Sequence, residues 1–571
     1  MQPRGFSGAV AIALIASACS HPSAQAPTAP NTSSTDMAGM PHMPASLAEW
    51  AQGAQLFDGL GDSHRSISSQ SAPAQQYFDQ GMRLMWAFNH DESSRSFARA
   101  AQLDPKCAIC LWGVALTVGP NYNMPMMAQA RARVAYDSLK QAHALLGGAS
   151  PVERALISAL DARYPDARPL DPASEGPVLQ AYAAAMRAVA LQYPADDDIQ
   201  TMYAESLMNL NAWKLWTSDG QPAPGTEEIV RTLETVLARN PQHPGANHYY
   251  VHAIEASPHP ERAVAAAERL RGMMPAAGHL EHMPAHIMQR VGRYEDAAEA
   301  NRKGADADRL YLGKTQPLDY YAMYVAHNYQ FLAYSTAMEG RRAETLEAVK
   351  QMRAAFPEEA MLSMPGPDWY GAEPYLAWVR FGAWDEILAA PRPNPKLQAV
   401  TGGYLFARSV ALAARGRVRD ARQCLAELDQ LRAAAPADAA AGFNTVPAVL
   451  ELAALIAKAE IARAEHDRTT AIATLTEAVA REDQLHYDEP ADWFFPVRHL
   501  LGAALLEAHK AGAAEAVYRE DLRRNPGNGW SLFGLAQALR AQGKGDEAAT
   551  VDGQFHEAWQ YADIKLTASR L

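Results

Sequence analysis

The hydrophobic positions of this chain follow a helical period from residue 75 to the C-terminus. Apolar residues recur at spacings of three and four, which places them on one face of a helix with about 3.6 residues per turn. The residues between them are mostly Ala, Leu, Glu and Arg, which favour helix, and β-branched runs are few. The pattern therefore predicts an all-α protein.

One helical pattern repeats along the chain with a period of 34 residues. In the unit at 74–107, Tyr77, Gly81, Phe97, Ala100 and Pro105 occupy positions 4, 8, 24, 27 and 32. This arrangement closely resembles the tetratricopeptide repeat (TPR), a helix–turn–helix unit. Further units in the same frame begin at residues 244, 278, 402, 495 and 529. The resemblance implies a right-handed α-α superhelix, a TPR solenoid, with a continuous concave groove.

Departures from the repeat indicate how the chain is divided. A connector rich in Pro and Gly, "SDGQPAPGT", interrupts an irregular region, and residues 312–325 form an insertion before a unit expected to begin at Ala326. We predict a signal peptide at 1–18, a disordered tether with a Met/His segment at 19–46, a TPR pair at 47–143, a helical spacer with an irregular repeat at 144–243, a His-rich TPR segment at 244–360 and a C-terminal TPR array at 361–571.

Several longer motifs are more specific than the TPR consensus. The segments "FNHDE", "WGVALTVGPNYN", "HPGANHYYVHAIEAS", "HMPAHIMQRVGRY" and "NGWSLFGLAQAL" occur in this order. In this respect the chain resembles a group of exported bacterial TPR proteins and lipoproteins over most of residues 60–570. That resemblance implies the fold and the family, and it implies no particular reaction.

The first twenty residues have the layout of an export signal. Arg4 precedes an apolar run at residues 9–15, and small residues lead up to Cys19. This run is too short to span a bilayer permanently. The position of Cys19 resembles a bacterial lipobox, which implies lipid attachment there and a lipid-anchored protein in the periplasm or at the outer membrane. Plain cleavage by signal peptidase, leaving a soluble periplasmic protein, is the alternative.

Charge and cysteine content narrow the function classes. The net charge of −13 is spread without long acidic runs, and no Lys/Arg cluster is interleaved with aromatic residues, so we expect no nucleic acid partner. We interpret Cys107 and Cys110 as small buried thiols at a repeat junction. A redox or metal-binding pair is the alternative, and an oxidising compartment would also permit a local disulfide.

Histidine is the residue type with the clearest functional pattern. The chain has 18 histidines, and seven of them fall within residues 243–286. In the first helix of each unit, positions 2, 5, 9 and 12 face away from the positions that pack on neighbouring helices, and so towards the groove. Positions 2, 5 and 9 of consecutive units place six histidines in this register: His248, His252, His279, His282, His286 and His327.

This register predicts a transition-metal site in the groove. His248/His252 and His282/His286 are i, i+4 pairs, a spacing that sets two imidazoles on one helix face. Imidazole ligands suit Cu, Zn, Ni or Fe. The expected cell-envelope location and a cluster of soft donors in the tether favour copper, with zinc next; these donors are Met37, Met40, His42 and Met43.

Two neighbouring residues are expected to shape the site. Glu255, at position 12, can act as a metal ligand, as an acceptor for an imidazole N–H or as a general base. Pro284 falls inside a predicted helix, where it removes a backbone hydrogen bond. We therefore expect a helix break that turns His279 and His282 relative to His286.

Other residues suggest a bound organic ligand or peptide. We predict a ligand groove formed by Trp112, Asn121, Tyr122 and Asn123. Two further functions remain open: a metal-free TPR scaffold for protein–protein interaction in the cell envelope, and a His-ligated metalloenzyme, either a hydrolase or an oxidoreductase. Three more histidines are interpreted as structural or solvated residues: His90, His243 and His259.

Overall fold

The computed structural model describes residues 43–125, 127–171, 174–315, 321–363 and 367–571. Within these ranges the chain is an all-α superhelix of stacked helix pairs, as predicted, with one short β-hairpin. The predicted signal peptide, Cys19, Met37, Met40 and His42 lie outside the described residues. None of the helices within the described ranges is long and apolar enough to cross a membrane.

The helices of the first half lead up to and include the His-rich segment. They are α1 Leu47–Trp50, α2 Ala72–Trp86, α3 His90–Leu103, α4 Ala108–Thr117, α5 Gln129–Ala144, α6 Pro151–Leu160, α7 Gly176–Gln192, α8 Asp197–Met208, α9 Thr226–Arg239, α10 Pro244–Ile254, α11 Val264–Leu270, α12 Gly278–His282, α13 Pro284–Arg290, α14 Tyr294–Leu312, α15 Tyr321–Met338 and α16 Arg342–Ala355. Short 3-10 helices cover Leu146–Gly148, Asn209–Asn211 and Pro260–Ala263.

The second half continues the stack with longer helix pairs. Its helices are α17 Glu358–Ser363, α18 Glu373–Arg380, α19 Trp384–Ala389, α20 Gln398–Ala414, α21 Val418–Ala434, α22 Val446–Ala464, α23 Arg468–Glu482, α24 Val497–Glu507, α25 Ala511–Arg524, α26 Gly529–Ala541 and α27 Gly545–Ala558. A 3-10 helix covers Pro367–Gly371, and the antiparallel hairpin consists of β1 Ala440–Ala441 and β2 Asn444–Thr445.

The small and aromatic positions of the repeat have a direct packing role. A Cβ built on Gly81 would lie 2.6 Å from the ring of Phe97, and one on Gly113 would lie 2.5 Å from the same ring. Helices α2, α3 and α4 therefore approach closely only because the two outer helices carry glycine where they meet the aromatic ring of the middle one. The glycines of α24 and α26 repeat this arrangement around Tyr518, with distances of 2.3 and 2.2 Å.

The structure differs from two sequence-based expectations. Helix α15 begins at Tyr321, earlier than the start expected at Ala326. The interpretation of Cys107 and Cys110 as free thiols is wrong, because the two residues form a disulfide. Their Cα atoms lie 5.4 Å apart across the first turn of α4, a separation that a disulfide can bridge. These sulfurs are consequently not available as metal ligands.

Segments from the second half of the chain cover the predicted groove. The β-hairpin contacts the connector before α9, where the rings of Phe443 and Trp213 lie 5.0 Å apart. The 483–496 connector between α23 and α24 brings Glu489 to His286, with 2.8 Å between Oε1 and Nδ1. As a result, five of the six groove histidines are buried, where the repeat register alone predicted an open groove.

Candidate metal centre

The histidines of the centre come from four helices of three consecutive repeats. Helix α10 carries His248 and His252, α12 carries His279 and His282, α13 carries His286, and α15 carries His327. Pro284 begins α13, and the helix preceding it ends at His282, so the break expected at this proline is present. The two short helices therefore present their histidines from different directions.

The structure brings all six predicted histidines together in two adjacent groups. The first triad consists of His248, His252 and His279, and in it the potential ligand atoms all lie within 4.8 Å of one another. The second triad consists of His282, His286 and His327 and meets the same limit. The triads are neighbours, since the rings of His252 and His286 lie 5.6 Å apart and those of His279 and His282 lie 5.8 Å apart.

In the first triad, outer partners fix the ring orientations. His248 donates from Nδ1 to the backbone carbonyl of Trp86 at 2.5 Å, and His252 donates from Nδ1 to Oε1 of Glu255 at 2.9 Å. The Trp86 carbonyl has no proton to donate, and a proton on the Glu255 carboxyl lies in its hydrogen bond with Glu489, so Nδ1 is the protonated nitrogen of each neutral ring. The Nε2 lone pairs of both rings are consequently free to bind a metal ion, an arrangement typical of metal-ligating histidine.

The second triad follows the same pattern. His282 Nδ1 lies 2.6 Å from Oδ1 of Asn301, whose amide nitrogen donates to the carbonyl of Ala297 and so leaves the oxygen as the acceptor. His286 Nδ1 lies 2.7 Å from Oε2 of Glu255. Glu255 therefore accepts an N–H from each triad. This contact is the outer-acceptor role, one of the three considered for Glu255 from the sequence.

The inward-facing nitrogens lie unusually close together. Nε2 of His282 and Nε2 of His286 are 2.7 Å apart, and Nε2 of His248 and Nε2 of His279 are 3.2 Å apart. Because Nδ1 carries a proton in both His282 and His286, the two rings face each other through Nε2. A proton or a metal ion between two such nitrogens offsets the repulsion of their lone pairs. In addition, Nε2 of His252 is buried without a hydrogen-bond partner in the described part of the chain.

Burial also favours the neutral imidazole that metals require. The side chains of the centre are 0–5% exposed, apart from the partly exposed His327. Burial is the main cause of lowered pKa values here, and the neighbouring imidazoles add to it. The pKa of His248 falls to about 3 and that of His327 to about 4, while those of His252, His279 and His282 lie well below the usual range.

A second carboxylate, which the sequence did not predict, completes the centre. Glu489 Oε1 lies 2.8 Å from His286 Nδ1, and Glu489 Oε2 accepts the hydroxyl of Tyr487 at 2.7 Å. The Glu255 and Glu489 carboxyls also share a hydrogen bond. Burial, together with the adjacent Glu489, raises the pKa of Glu255 well above its usual range. Burial opposes ionisation of Glu489 as well, but His286 and three hydrogen bonds outweigh it and lower its pKa.

One phenylalanine ring packs against each triad. The ring of Phe88 lies 4.5–5.7 Å from the three imidazoles of the first triad, and the ring of Phe331 lies 4.6–5.0 Å from those of the second. Both rings are fully buried. They hold the imidazoles in place without competing for an ion.

A cavity of about 350 Å³ opens onto the second triad, and His286 and His327 form part of its wall. Of the predicted ligand groove, Asn123 lines this cavity, and the ring of Tyr122 lies 5.4 Å from that of His252. Asn121 instead accepts backbone N–H groups of its own turn, and Trp112 is buried in the core of the first half.

The three histidines interpreted as structural have separate surroundings. His243 is the N-cap of α10, and its Nδ1 accepts the N–H of Ala246 at 3.0 Å. His259 is exposed beside Glu261, and His90 is buried at the start of α3. None of these three belongs to a group of potential metal ligands in the described ranges.

The sequence reasoning missed Glu489, Asn301 and the two phenylalanines. Glu489 lies about 200 residues beyond the histidines in a connector that does not follow the repeat, "HYDEPADWFFP". Its concentration of acidic residues beside Pro and aromatic residues was the available signal. Phe88 had a signal too, because a phenylalanine stands after α2 at a helix-ending position where glycine is usual. Its φ in the structure is 54°, a left-handed value.

Comparison with known proteins gives no assignment beyond the helical repeat fold described above. No protein-family model matches the sequence, and no curated protein matches it. Among solved structures, a human IFIT1 dimer with m7Gppp-AAAA is 13% identical, with 80% of this chain and 90% of that chain covered and a TM-score of 0.33. Yeast Tom70 is 10% identical, with coverages of 85% and 99% and a TM-score of 0.31.

A third solved structure, the P58(IPK) TPR domain, is 11% identical to this chain. The match covers 83% of this chain and 99% of that chain, with a TM-score of 0.21. All three TM-scores are below 0.5. The neighbours therefore carry no argument about the histidines.

Proposed function

We propose that this protein binds two transition-metal ions, one in each histidine triad. The observation that carries the proposal is the orientation of the rings. Nδ1 of four histidines faces an oxygen outside the triads. On the inner side, two pairs of Nε2 atoms lie 2.7 and 3.2 Å apart, one pair in each triad. Such outward hydrogen bonds fix the tautomer that leaves Nε2 free to bind an ion.

The donor set fits copper first and zinc second. All six ligands are imidazoles, which suit both ions, and copper lies above zinc in the usual order of divalent affinities. Two imidazoles on one ion, with bonds of ~2.0–2.1 Å and tetrahedral angles, stand roughly 3.3 Å apart. The 3.2 Å pair of the first triad already has this spacing, and the 2.7 Å pair of the second needs only a small ring rotation.

Two observations distinguish the alternative functions. The buried histidines lie out of reach of a peptide in the groove, which disfavours a scaffold that uses them as contact residues. The cavity beside the second triad favours a metalloenzyme as the second candidate, because a three-histidine ion with an accessible fourth position is the arrangement of catalytic sites. Both oxygens of Glu255 accept imidazole N–H groups, so its role would be positioning rather than proton abstraction.

Export and lipid attachment at Cys19 form part of the same proposal. The Cys107–Cys110 disulfide supports export, since disulfides persist in oxidising compartments and are rare in the cytosol. A periplasmic or outer-membrane location agrees with the N-terminal sequence.

The test is metal content measured by elemental mass spectrometry on full-length protein loaded with Cu²⁺ or Zn²⁺ and then desalted. We expect two ions per chain. The double substitution His282→Ala/His286→Ala should remove one ion, and His248→Ala/His252→Ala should remove the other. Helical content should stay close to that of the parent, since Ala is the better helix former.

The matched control is His259→Ala, which removes an exposed histidine near the centre in sequence but outside both triads. His243 is unsuitable as a control, because it caps the helix that carries two of the ligands. A chain that takes up neither metal, or one that keeps two ions when both double substitutions are combined, would disprove the proposal.

A further inference from the structure

The cavity next to the second triad is rich in aromatic side chains. Five large aromatic side chains line it: Trp213, Tyr324, Trp369, Tyr370 and Phe443. They come from four separate parts of the chain, namely the connector before α9, helix α15, the 3-10 helix Pro367–Gly371 and the β-hairpin. Aromatic walls of this kind bind planar apolar groups through stacked or edge-on contacts.

The charged groups of the cavity all have the same sign. Asp488, Glu489 and Asp492 line it, and the described lining residues include no Lys or Arg. Burial raises the pKa of Asp488 to about 7, and burial together with Asp488 raises the pKa of Asp492 well above its usual range, so the negative charge is partial at neutral pH. The remaining titratable groups there are His286, His327 and tyrosines. An anionic ligand would therefore find no Lys or Arg side chain in the described lining, whereas an ammonium or a hydroxyl group would find carboxyl oxygens as acceptors. Tryptophan and tyrosine faces also attract cations.

Trp213 joins the cavity to the histidines and is held in an uncommon backbone conformation. Its φ is 60°, a left-handed value that is rare for a bulky residue. Its ring lies 5.1 Å from that of Tyr122, 5.6 Å from that of His252 and 5.0 Å from that of Phe443. The ring thus extends from the first triad to the hairpin, and Phe443 at the hairpin tip is about half exposed.

We infer that this cavity binds a small aromatic molecule that is neutral or cationic and carries hydroxyl or amino groups. The volume of about 350 Å³ is at the small end of ligand pockets, which suits one or two rings. Because His286 and His327 share the wall, the ligand would lie directly beside the second triad. The inference goes beyond metal binding and requires no bound ion, since the contacts proposed for the ligand are with aromatic rings and carboxyl groups of the cavity wall.

Three probes of similar size test separately whether binding depends on the charge of the ligand and on its aromatic ring. Tyramine is a cationic phenol, 4-hydroxyphenylacetate keeps the ring but is anionic, and 2-cyclohexylethylamine keeps the charge but has no aromatic ring. Isothermal titration of the full-length protein should give tyramine a Kd at least tenfold lower than that of either other probe. The same order is expected with metal-loaded and with chelator-treated protein.

Each departure from this order contradicts a specific step. No binding of tyramine in either metal state would overturn the inference, and so would equal binding of 4-hydroxyphenylacetate, which would remove the charge argument. Equal binding of the cyclohexyl amine would show that the rings confer no selectivity and would equally overturn it. Metal content, measured on the same samples, reports separately on the histidine triads.

The location of the site is tested by Phe443→Ala. This residue lies at a half-exposed hairpin tip, so its removal should leave the fold and the metal content unchanged while weakening tyramine binding about three- to tenfold. The control is Tyr561→Ala, an aromatic residue of similar exposure that does not line the cavity. Unchanged binding by the Phe443 variant would place tyramine elsewhere and overturn the inference.

Discussion

Replacing Glu255 by Leu tests whether outer hydrogen bonds hold the two triads. Oε1 of this carboxylate accepts His252 Nδ1–H at 2.9 Å, and Oε2 accepts His286 Nδ1–H at 2.7 Å. Within the described part of the chain Glu255 is the acceptor for the His252 proton, whereas His286 Nδ1 also lies 2.8 Å from Glu489 Oε1. The substitution should therefore weaken the first triad much more than the second.

The size of the effect follows from the contact that is lost. Removing an outer partner of a metal-ligating histidine lowers metal affinity by ~10–100-fold, which corresponds to roughly 1.4–2.7 kcal/mol. The cost of leaving one buried N–H unsatisfied, about 1–3 kcal/mol, gives the same range. For Glu255→Leu we expect a loss of this size at the first triad and a loss below about fivefold at the second.

Glu255→Gln provides the matched rescue. The amide oxygen can accept from His252, and the amide nitrogen can donate to Glu489, which already shares a hydrogen bond with Glu255. The amide nitrogen cannot accept from His286, whose Nδ1–H then has Glu489 Oε1 at 2.8 Å as its acceptor. Gln therefore resembles the protonated Glu255 that the raised pKa favours, and its Zn²⁺ affinities should stay within about threefold of the parent.

The assay is competition with a chromogenic Zn²⁺ chelator, which resolves the two stepwise dissociation constants of each protein. Circular dichroism and the midpoint of thermal unfolding show whether the variants are folded. If Leu left both constants unchanged, or if Gln and Leu weakened binding equally, the carboxylate would not act through the imidazole N–H groups and this reasoning would fail.

Three further predictions concern other parts of the chain. Reduction of the Cys107–Cys110 disulfide, read by thiol titration, should lower the free energy of unfolding by about 2 kcal/mol, the chain-entropy value for so short a loop. Burial raises the pKa of Asp308 to about 7, so the folded protein keeps this carboxyl protonated at pH values where the unfolded chain ionises it. The free energy of unfolding should therefore fall as pH rises from about 4 to 7, and Asp308→Asn should flatten this part of the stability–pH curve measured by urea unfolding. Cys19→Ser should move the protein from the membrane fraction to the soluble fraction, and a variant that stays with the membrane would contradict lipid attachment.

The fold was predictable because each repeat carries its own local signals. Gly81 and Phe97 must match for helices α2 and α3 to pack, and this requirement is visible in sequence as spacing. Pro284 was equally readable, since a proline cannot donate its share of the helix hydrogen bonds, and the break is at that residue. The register of the histidines predicts their proximity for the same reason, because positions 34 residues apart occupy equivalent places in stacked units.

The features that the sequence did not predict depend on contacts between distant segments of the chain. Nothing in the repeat places Glu489 beside His286, because the 483–496 connector leaves the repeat pattern and its path depends on tertiary packing. The same connector and the β-hairpin cover the groove, so the side chains predicted to face an open surface are buried. Burial in turn decides the chemistry, since it lowers the pKa values of the imidazoles and disfavours a peptide-contact role.

The turn after α2 shows how far the fold departs from its own repeat at this site. Asn89 donates to the carbonyl of Leu84, and Phe88 donates to that of Met85, which is the hydrogen-bond pattern of a helix that ends in a left-handed residue. The same pattern ends seven other helices in the described part of the chain. Two of them have a histidine with positive φ, His466 and His509, and five have a glycine: Gly292, Gly340, Gly382, Gly416 and Gly543.

Phenylalanine is an unfavourable choice at such a position. A left-handed conformation costs a non-glycine residue roughly 1–2 kcal/mol, and glycine avoids that cost. Here the ring packs against all three imidazoles of the first triad, with centroids 4.5–5.7 Å away. Trp213, the other aromatic residue with positive φ, also contacts His252. Strain at bulky residues persists only where surrounding contacts compensate for it, and for Phe88 and Trp213 those contacts include the same histidine, His252. The two other described non-glycine residues with positive φ, His466 and His509, are exposed at helix ends. The packing of two strained aromatic residues on His252 supports function at the triads.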